Sequence, residues 1–416
     1  MSNFKFIHTA DLHLDSPFKG IRDVAQQYSA EIMSSTFRAF DQVIEYCIEL
    51  GVDFLLISGD IFDSENRSLR AEIYFAKGME RLEKARINVY LIHGNHDPLI
   101  SKQNIYNWAS NVHTFPTDAV TRAIYPVDGE RIAQIYGRSY PERAFFENSL
   151  PAFAAVHEGK NFSIALHHTN VDGNRDYDSY APTTLREIKS TKYDYWALGH
   201  IHRKTILNER EPMVIYPGNT QGRHINERGI KECHYVEVVD GEIAKSKWLP
   251  TAQIVWEQIE LDITNLTRLD ELINMIDEAV VEQKEFYQLP LIMRILLKGR
   301  SELYLTLLRQ EQLIELEDSL NEHYNNLKQW VIIESIQTDL KPRIELEQII
   351  AGDSFLADYL KQYEQHDFNV VNEESELFKN RSFRKHFQSL TEIDWNEIEE
   401  FTRAYAIDSL HEEADE

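Results

Sequence analysis

The chain has 416 residues with 43% hydrophobic and 11% aromatic content, an ordinary folded composition too long for one compact core, so two or three domains are expected. Its net charge of −26 excludes a surface that coats nucleic acid broadly, but not a local basic groove or a site made positive by bound metal. No apolar run approaches the ~20 residues of a membrane span, and the start Met1-Ser2-Asn3-Phe4-Lys5-Phe6 enters a strand rather than a signal peptide. Two cysteines, Cys47 and Cys233, give no disulfide framework, so a reducing, cytoplasmic setting with no membrane is expected.

Phe4 to His8 alternates as a strand and runs into Ala10-Asp11-Leu12-His13. From Tyr28 to Leu50, Phe37, Phe40, Val43, Ile44, Cys47 and Ile48 recur at helical spacing, with Gly51 as C-terminal cap. Phe54-Leu55-Leu56-Ile57 is a short apolar strand ending in Ser58-Gly59-Asp60-Ile61-Phe62-Asp63. A second helix, Ser68 to Ala85, leads to the strand from Ile87 to His93 and the turn Gly94-Asn95-His96-Asp97, where glycine is expected to let the backbone turn sharply. The alternation predicts parallel pairing in a layered α/β domain.

Val112 to Tyr140 breaks into shorter strands and turns punctuated by Pro116, Pro126, Gly129 and Gly137. Phe162 to Leu166 runs into His167-His168, and Tyr195 to Leu198 into Gly199-His200-Ile201-His202. Met213 to Asn219 and Glu232 to Val239 read as closing strands, which ends the first domain near Pro250. Beyond it come a strand from Ile254 to Ile263, a helix from Leu266 to Gln283 and a strand from Leu289 to Leu297. A helix from Ser301 to Tyr324 and a strand from Val331 to Gln337 complete a βαβαβ order, and from Ile344 the pattern is helical and acidic.

Five strands thus end in polar donors: Asp11 and His13; Asp60; Asn95 and His96; His167; His200 and His202. Singly each piece is commonplace, since Gly-Asp after a strand is usually a turn and one His-x-His is usually core or surface. Together they matter, because ligands bind beyond the carboxyl ends of the strands in α/β sheets and these ends would converge on one edge. Oxygen and imidazole donors suit Mn²⁺, Fe²⁺ or Zn²⁺. More donors than one ion needs, around a central aspartate, point to two ions ~3.5–4 Å apart that share a carboxylate. His8 and His93 read as strand residues and the cysteines as core. Arg223 and His224, after a glycine-rich turn, stand open between phosphate contact and structural turn, and Tyr140 and Arg138 receive no role.

Asp11-Leu12-His13, Gly59-Asp60-Ile61-Phe62-Asp63, Gly94-Asn95-His96-Asp97, His167 and Gly199-His200-Ile201-His202 resemble the full motif series of the calcineurin-like metallophosphoesterases. Asp11-Leu12-His13-Leu14-Asp15-Ser16-Pro17-Phe18 and Tyr216-Pro217-Gly218-Asn219-Thr220-Gln221-Gly222-Arg223-His224 are similar to the DNA repair exonucleases of the SbcD/YhaO type, the YhaO group above all. The fold implied is α/β: a β-sandwich flanked by helices in four layers over 1–250, a small α/β DNA-capping domain over 251–343 and a helical C-terminal segment over 344–416.

The resemblance implies that Asp11, His13 and His202 hold one divalent ion and Asn95, His167 and His200 the other, with Asp60 bridging and Mn²⁺ the favoured metal. It makes His96 the catalytic histidine at the leaving oxygen, with Asp97 orienting its imidazole, and leaves Asp63 as a loop brace. His167 and His168 are adjacent and either ring suits the site; the His-x-Thr pattern, completed by Thr169, favours His167.

The activity implied is metal-dependent hydrolysis of DNA phosphodiester bonds in repair, exonucleolytic and in some settings endonucleolytic. The partners implied are DNA, a second copy of the chain, and an SMC-like ATPase of the SbcC/YhaN type. That ATPase would dock on the helical tail, where Phe355, Leu356, Tyr359, Leu360 and Tyr363 offer an apolar face. Two other readings compete: a phosphoesterase for nucleotides, cyclic nucleotides or phosphoproteins, and a non-catalytic scaffold for an ATPase. The extra domain argues against the first and the intact ligand set against the second.

Overall fold

Alternation along Phe4–Thr9 (β1) sends Phe4 and Phe6 into one core and Ile7 into another, so this strand is buried on both faces. The computed structural model describes residues 3–18, 27–63, 68–99, 108–126, 133–157, 161–173, 178, 180–324, 329–341, 357, 358 and 361. The expected docking residues Phe355, Leu356, Tyr359, Leu360 and Tyr363 lie outside them. The chain divides into one unit of 1–257 with 287–292 and 328–332, and a second of 258–286, 293–327 and 333–416.

In the first unit, β1 is followed by Ser29–Glu49 (α1), Phe54–Ser58 (β2), Leu69–Lys84 (α2), Asn88–Ile92 (β3) and Val112–Thr114 (β4). Then come Thr121–Tyr125 (β5), Ala133–Gly137 (β6), Leu150–Val156 (α3), Phe162–His168 (β7), Leu185–Ser190 (α4) and Tyr195–Gly199 (β8). Thr205–Asn208 (β9), Met213–Tyr216 (β10), Glu232–Val239 (β11) and Glu242–Pro250 (β12) complete it. Helix α2 starts where the Ser68 hydroxyl accepts the Ala71 N–H at 3.0 Å, a cap whose loss costs ~1 kcal/mol.

Two six-stranded sheets result, ordered β12-β11-β1-β2-β3-β4 and β5-β6-β7-β8-β10-β9. Their centres are parallel, as expected, while β11, β12, β5 and β9 pair antiparallel at the edges. Phe4, Phe6, Phe54 and Ile92 of one sheet meet Ile135, Phe162, Ile164, Leu166 and Tyr195 of the other in the inner core. Phe6 stacks on Phe54 at 5.4 Å and meets Tyr195 edge-on at 5.1 Å. Helices α1 and α2 cover the outer face of the first sheet, through Phe37, Phe40 and Phe75, and α3 and α4 that of the second, through Phe153 and Ile188. This is the four-layer sandwich. Cys47 and Cys233 are free and buried in the first outer core.

In the second part, Val255–Asp262 (β13), Leu291–Arg300 (β14) and Val331–Lys341 (β15) form a three-stranded sheet with β14 in the middle. Leu269–Tyr287 (α5) joins the first two strands; Tyr304–Leu307 (α6) and Gln310–Tyr324 (α7) join the last two. The single helix expected from Ser301 to Tyr324 is therefore broken at Leu308 and Arg309. Leu303 and Leu307 are out of phase with Leu313, Leu316 and Leu320, and a continuous helix could not bury both sets on one face. Among the described residues no helix is long and apolar enough to cross a membrane.

Candidate metal centre

The polar strand ends come from both sheets, β1, β2 and β3 on one side and β7 and β8 on the other, and meet at one end of the sandwich. The loops that carry them are held in unusual backbone: Asp11 (φ 52°), His13 (φ 42°), Asp60 (φ 52°) and His200 (φ 100°) all occupy the left-handed region. Non-glycine residues pay strain there, which such sites tolerate because the surroundings over-determine them. Gly94 is needed for room rather than for its dihedral angles, since a Cβ there would lie 2.4 Å from Asp60 Oδ1 and 2.7 Å from His168 Cε1.

Among the described residues, three groups of side chains offer ligand atoms within 4.8 Å of one another: Asp11, His13 and His202; Asp11, Asp60 and His168; and His13, Asp63 and His96. His13 Nε2 is 3.1 Å from His202 Nε2 and 3.8 Å from Asp60 Oδ2. Asp11 accepts the His200 backbone N–H at 3.0 Å, and Asp60 Oδ1 accepts that of His96 at 2.9 Å.

His168, not His167, stands in this cluster. Its Nδ1 lies 2.9 Å from the Ser58 carbonyl oxygen, and its Nε2 is 2.9 Å from Asn95 Oδ1 and 3.4 Å from Asp60 Oδ2. The expected His167 packs against Phe153 and Trp196 on the other face of β7, because successive strand residues point to opposite faces. His167 shares its face with Ala165 in the outer core, whereas His168 continues the inner-face series of Ile164 and Leu166.

Asp97 also departs from its expected place. It accepts the backbone N–H groups of Gly94 (2.8 Å), Ile61 (2.9 Å) and Asp60 (3.2 Å), and its Oδ2 faces His93 Nδ1 at 3.2 Å. It therefore ties two ligand loops together, and Asp63 Oδ1 is the carboxylate beside His96 Nδ1, at 3.4 Å. In the loop after β3 Asp97 faces inward, whereas the His96 side chain stays 30% exposed at the rim.

The donor chemistry fits divalent ions. A carbonyl can only accept, so the Ser58 oxygen fixes the His168 proton on Nδ1, and the Asp178 oxygen, 2.9 Å from His200 Nε2, fixes that of His200. This leaves His168 Nε2 and His200 Nδ1 aimed at Asn95 Oδ1, at 2.9 and 3.2 Å, with Asp60 Oδ2 alongside. Lone pairs converging on lone pairs call for a cation. Asp60 Oδ2 and His13 Nδ1 are buried and make no well-formed hydrogen bond among the described residues. Two imidazole nitrogens 3.1 Å apart, as in His13 and His202, suit neighbouring positions on one ion at ~2.0–2.1 Å.

Electrostatics agree. Burial works to raise the Asp60 pKa, but His168, His96 and His13 outweigh it and hold the carboxyl well below its usual range. Burial works to lower the His168 pKa, and Asp60 and Asp11 overcome it, pushing it up to about 9, so the field of the two carboxylates favours positive charge at this ring. His200 is pushed down to about 3 by burial and by His168, which keeps its ring neutral. At His96, burial is outweighed by Asp63 and Asp60, leaving its pKa raised.

Residues 4–204 match the calcineurin-like phosphoesterase family, and 256–341 match the family described as metallophosphoesterase YhaO, middle domain. A protein of Bacillus subtilis (strain 168), the "uncharacterized metallophosphoesterase YhaO", is 32% identical over 400 residues, 96% of each chain. The chain belongs to the calcineurin-like metallophosphoesterases. This family hydrolyses phosphoester bonds with a dinuclear metal site, and the His/Asp cluster is its counterpart here. A component of the nuclease SbcCD of B. subtilis (strain 168) is 23% identical over 290 residues, 62% of this chain and 69% of that one. The "DNA double-strand break repair protein Mre11" of Methanococcus maripaludis is 27% identical over 247 residues, 54% of this chain and 59% of that protein.

Sequence reasoning missed Glu227, which faces His202 Nδ1 at 2.6 Å, and the part played by Tyr140, whose hydroxyl donates to the His168 carbonyl at 2.6 Å. Glu227 lies three residues beyond His224, and an acidic residue in the glycine-bounded loop from Gly218 to Gly229 is the available signal.

Proposed function

We propose that this metallophosphoesterase is a divalent-metal-dependent DNA nuclease that hydrolyses phosphodiester bonds in repair, using Mn²⁺ and working with an SMC-like ATPase of the SbcC/YhaN type. The observation that carries the reading is the convergence of Asp60, Asn95, His168 and His200 lone pairs beside Asp11, His13 and His202. The relatives named as part of a nuclease and as a double-strand break repair protein favour DNA as substrate. In this reading Asp11, His13 and His202 would hold one ion, Asn95, His168 and His200 the other, and Asp60 would lie between them. When bound, the two dications neutralise phosphate charge and lower the pKa of water.

The chain's own part is positioning and proton transfer. The Asp60 carboxylate fixes the His96 backbone, Asp63 faces Nδ1, and the Nε2 side of the exposed ring is left to protonate a leaving oxygen. The unit carrying 258–286 and 293–327 is read as a cap over DNA ends, the tail as the ATPase dock, and the working state as a homodimer in the cytoplasm.

Purified full chain with Mn²⁺ is expected to shorten end-labelled linear duplex DNA, and His96→Ala to abolish this while retaining its metal. No release of nucleotide with any divalent metal, with or without the ATPase, would rule out the nuclease. Preferential cleavage of small phosphodiesters would instead point to a nucleotide or cyclic-nucleotide substrate.

A further inference from the structure

Glu227 lies in the loop between β10 and β11, is only 4% exposed, and has five donors converging on its carboxylate. His202 Nδ1 (2.6 Å), Arg223 Nη2 (3.2 Å) and His224 Nε2 (3.3 Å) meet Oε1. Asn219 Nδ2 (2.9 Å) and the Arg223 backbone N–H (2.8 Å) meet Oε2. An ionised carboxylate can only accept, so the proton between it and His202 belongs to Nδ1. With Nδ1 turned to the carboxylate, Nε2 is the nitrogen left to face the site, 3.1 Å from His13.

The same loop holds the His202 main chain. Gly218, at φ 79°, lies where a Cβ would come within 2.7 Å of the His202 oxygen and 2.9 Å of the Lys204 nitrogen, so only glycine lets the loop lie this close. The Asn219 N–H and Lys231 Nζ both donate to the His202 carbonyl oxygen, each at 3.3 Å. Ring and backbone are thus gripped from one side. The Arg223 guanidinium balances Glu227, so the carboxylate supplies direction without adding an unpaired negative charge.

We propose that Glu227 is a positioning residue of the metal centre: it fixes the tautomer and orientation of His202 so that Nε2 is offered to the divalent ion shared with Asp11 and His13. The inference rests on the metal-centre reading given above, and concerns binding of the ion rather than the identity of the substrate.

The test titrates metal-free full-length chain with Mn²⁺, following bound ions by calorimetry and by the Mn²⁺ paramagnetic resonance signal. The wild-type chain is expected to take up two ions. Glu227→Gln preserves shape, but its amide can donate to Nδ1 as readily as accept from it, so the tautomer is no longer enforced. One of the two ions is then expected to bind ~10–100-fold more weakly and the other unchanged. Glu227→Asp, which keeps the charge but withdraws the acceptor, should fall between and serves if the glutamine variant misfolds; urea unfolding of the metal-free proteins separates folding from binding. In a His202→Ala background, Glu227→Gln should add no further loss, because it acts through that ring. Wild-type affinity for both ions in both Glu227 variants, or a further loss in the His202→Ala background, overturns the proposal. A wild-type chain that binds no Mn²⁺ would instead sink the metal-centre reading itself.

Discussion

Replacing Asp97 with alanine distinguishes a carboxylate that orients His96 from one that ties two loops together. Asp97 is 2% exposed and accepts three backbone N–H groups, from Gly94, Ile61 and Asp60, besides facing His93. Each buried donor left without an acceptor costs about 1–3 kcal/mol. Taking the low end for three donors gives a loss of ~3 kcal/mol, a large share of the 5–15 kcal/mol that typically separates folded from unfolded. For a domain of this size that is a fall of roughly 6–12 °C in Tm, at about 2–4 °C per kcal/mol. His96→Ala removes a partly exposed ring that faces Asp63 at 3.4 Å and meets His13 edge-on, and should cost less than ~1 kcal/mol. The assay is urea and thermal unfolding of the metal-free full chain, followed by tryptophan fluorescence, beside nuclease activity with Mn²⁺. Both variants should be inactive, but only Asp97→Ala should be markedly destabilised. An Asp97→Ala protein within ~1 kcal/mol of wild type yet inactive would refute the argument and restore Asp97 as the partner of His96.

His168→Ala should lose tight binding of one Mn²⁺ ion and activity with it, whereas His167→Leu, in a pocket of Phe153 and Trp196, should keep both; the reverse pattern in a Mn²⁺ titration would contradict the placement of the two rings. His234, 1% exposed between β1 and β12, gives a pH dependence, because burial pushes its pKa down to about 4. The unfolded ring gains its proton as pH falls through ~6.5 while the folded ring resists until about 4, so stability is complete above ~6.5, falls between the two values and levels off below. By pH 5 the loss from this one ring is ~2 kcal/mol, and urea midpoints from pH 7 to 5 should be flatter for His234→Gln than for wild type; equal slopes would count against it.

The parts of the fold and site that were legible are those written in short-range pattern. Strands β1, β2, β3, β7 and β8 are apolar runs that stop at a polar donor, and α1 and α2 are long enough for their buried stripe to register. Helices α3 and α4, with seven and six residues, are too short to show a period, and went unread. The choice between His167 and His168 turned on strand parity: Ile164, Leu166 and His168 share the inner face, and the local His-x-Thr pattern pointed to the other ring. Asp63 and Asp97 could not be sorted, because which carboxylate meets His96 depends on how the loop after β2 folds against the loop after β3. Gly94 is expected from the sharp turn after β3, while the structure adds a second cause, the lack of space for a side chain beside Asp60 and His168.

Glu227 was the least legible member, and it shows how the centre is built as one piece. From its loop, Arg223 Nη1 donates to Ser16 Oγ at 3.0 Å, Ser16 Oγ donates to Asp63 Oδ2 at 3.1 Å, and Asp63 Oδ1 faces His96. One loop therefore reaches both His202, through Glu227, and the rim histidine, through Arg223. The donors also bear on how a chain of net charge −26 would accept the polyanionic substrate proposed above. Asp11 and Asp60 are the acidic members, while Asn95, His13, His168, His200 and His202 can all bind as neutral groups. Two dications held this way would leave the ions and their ligands together at about +2, four positive charges less two carboxylates, with Glu227 balanced by Arg223. Using mostly neutral ligands keeps the charge of the ions available to a phosphodiester, which an all-carboxylate cage would have cancelled.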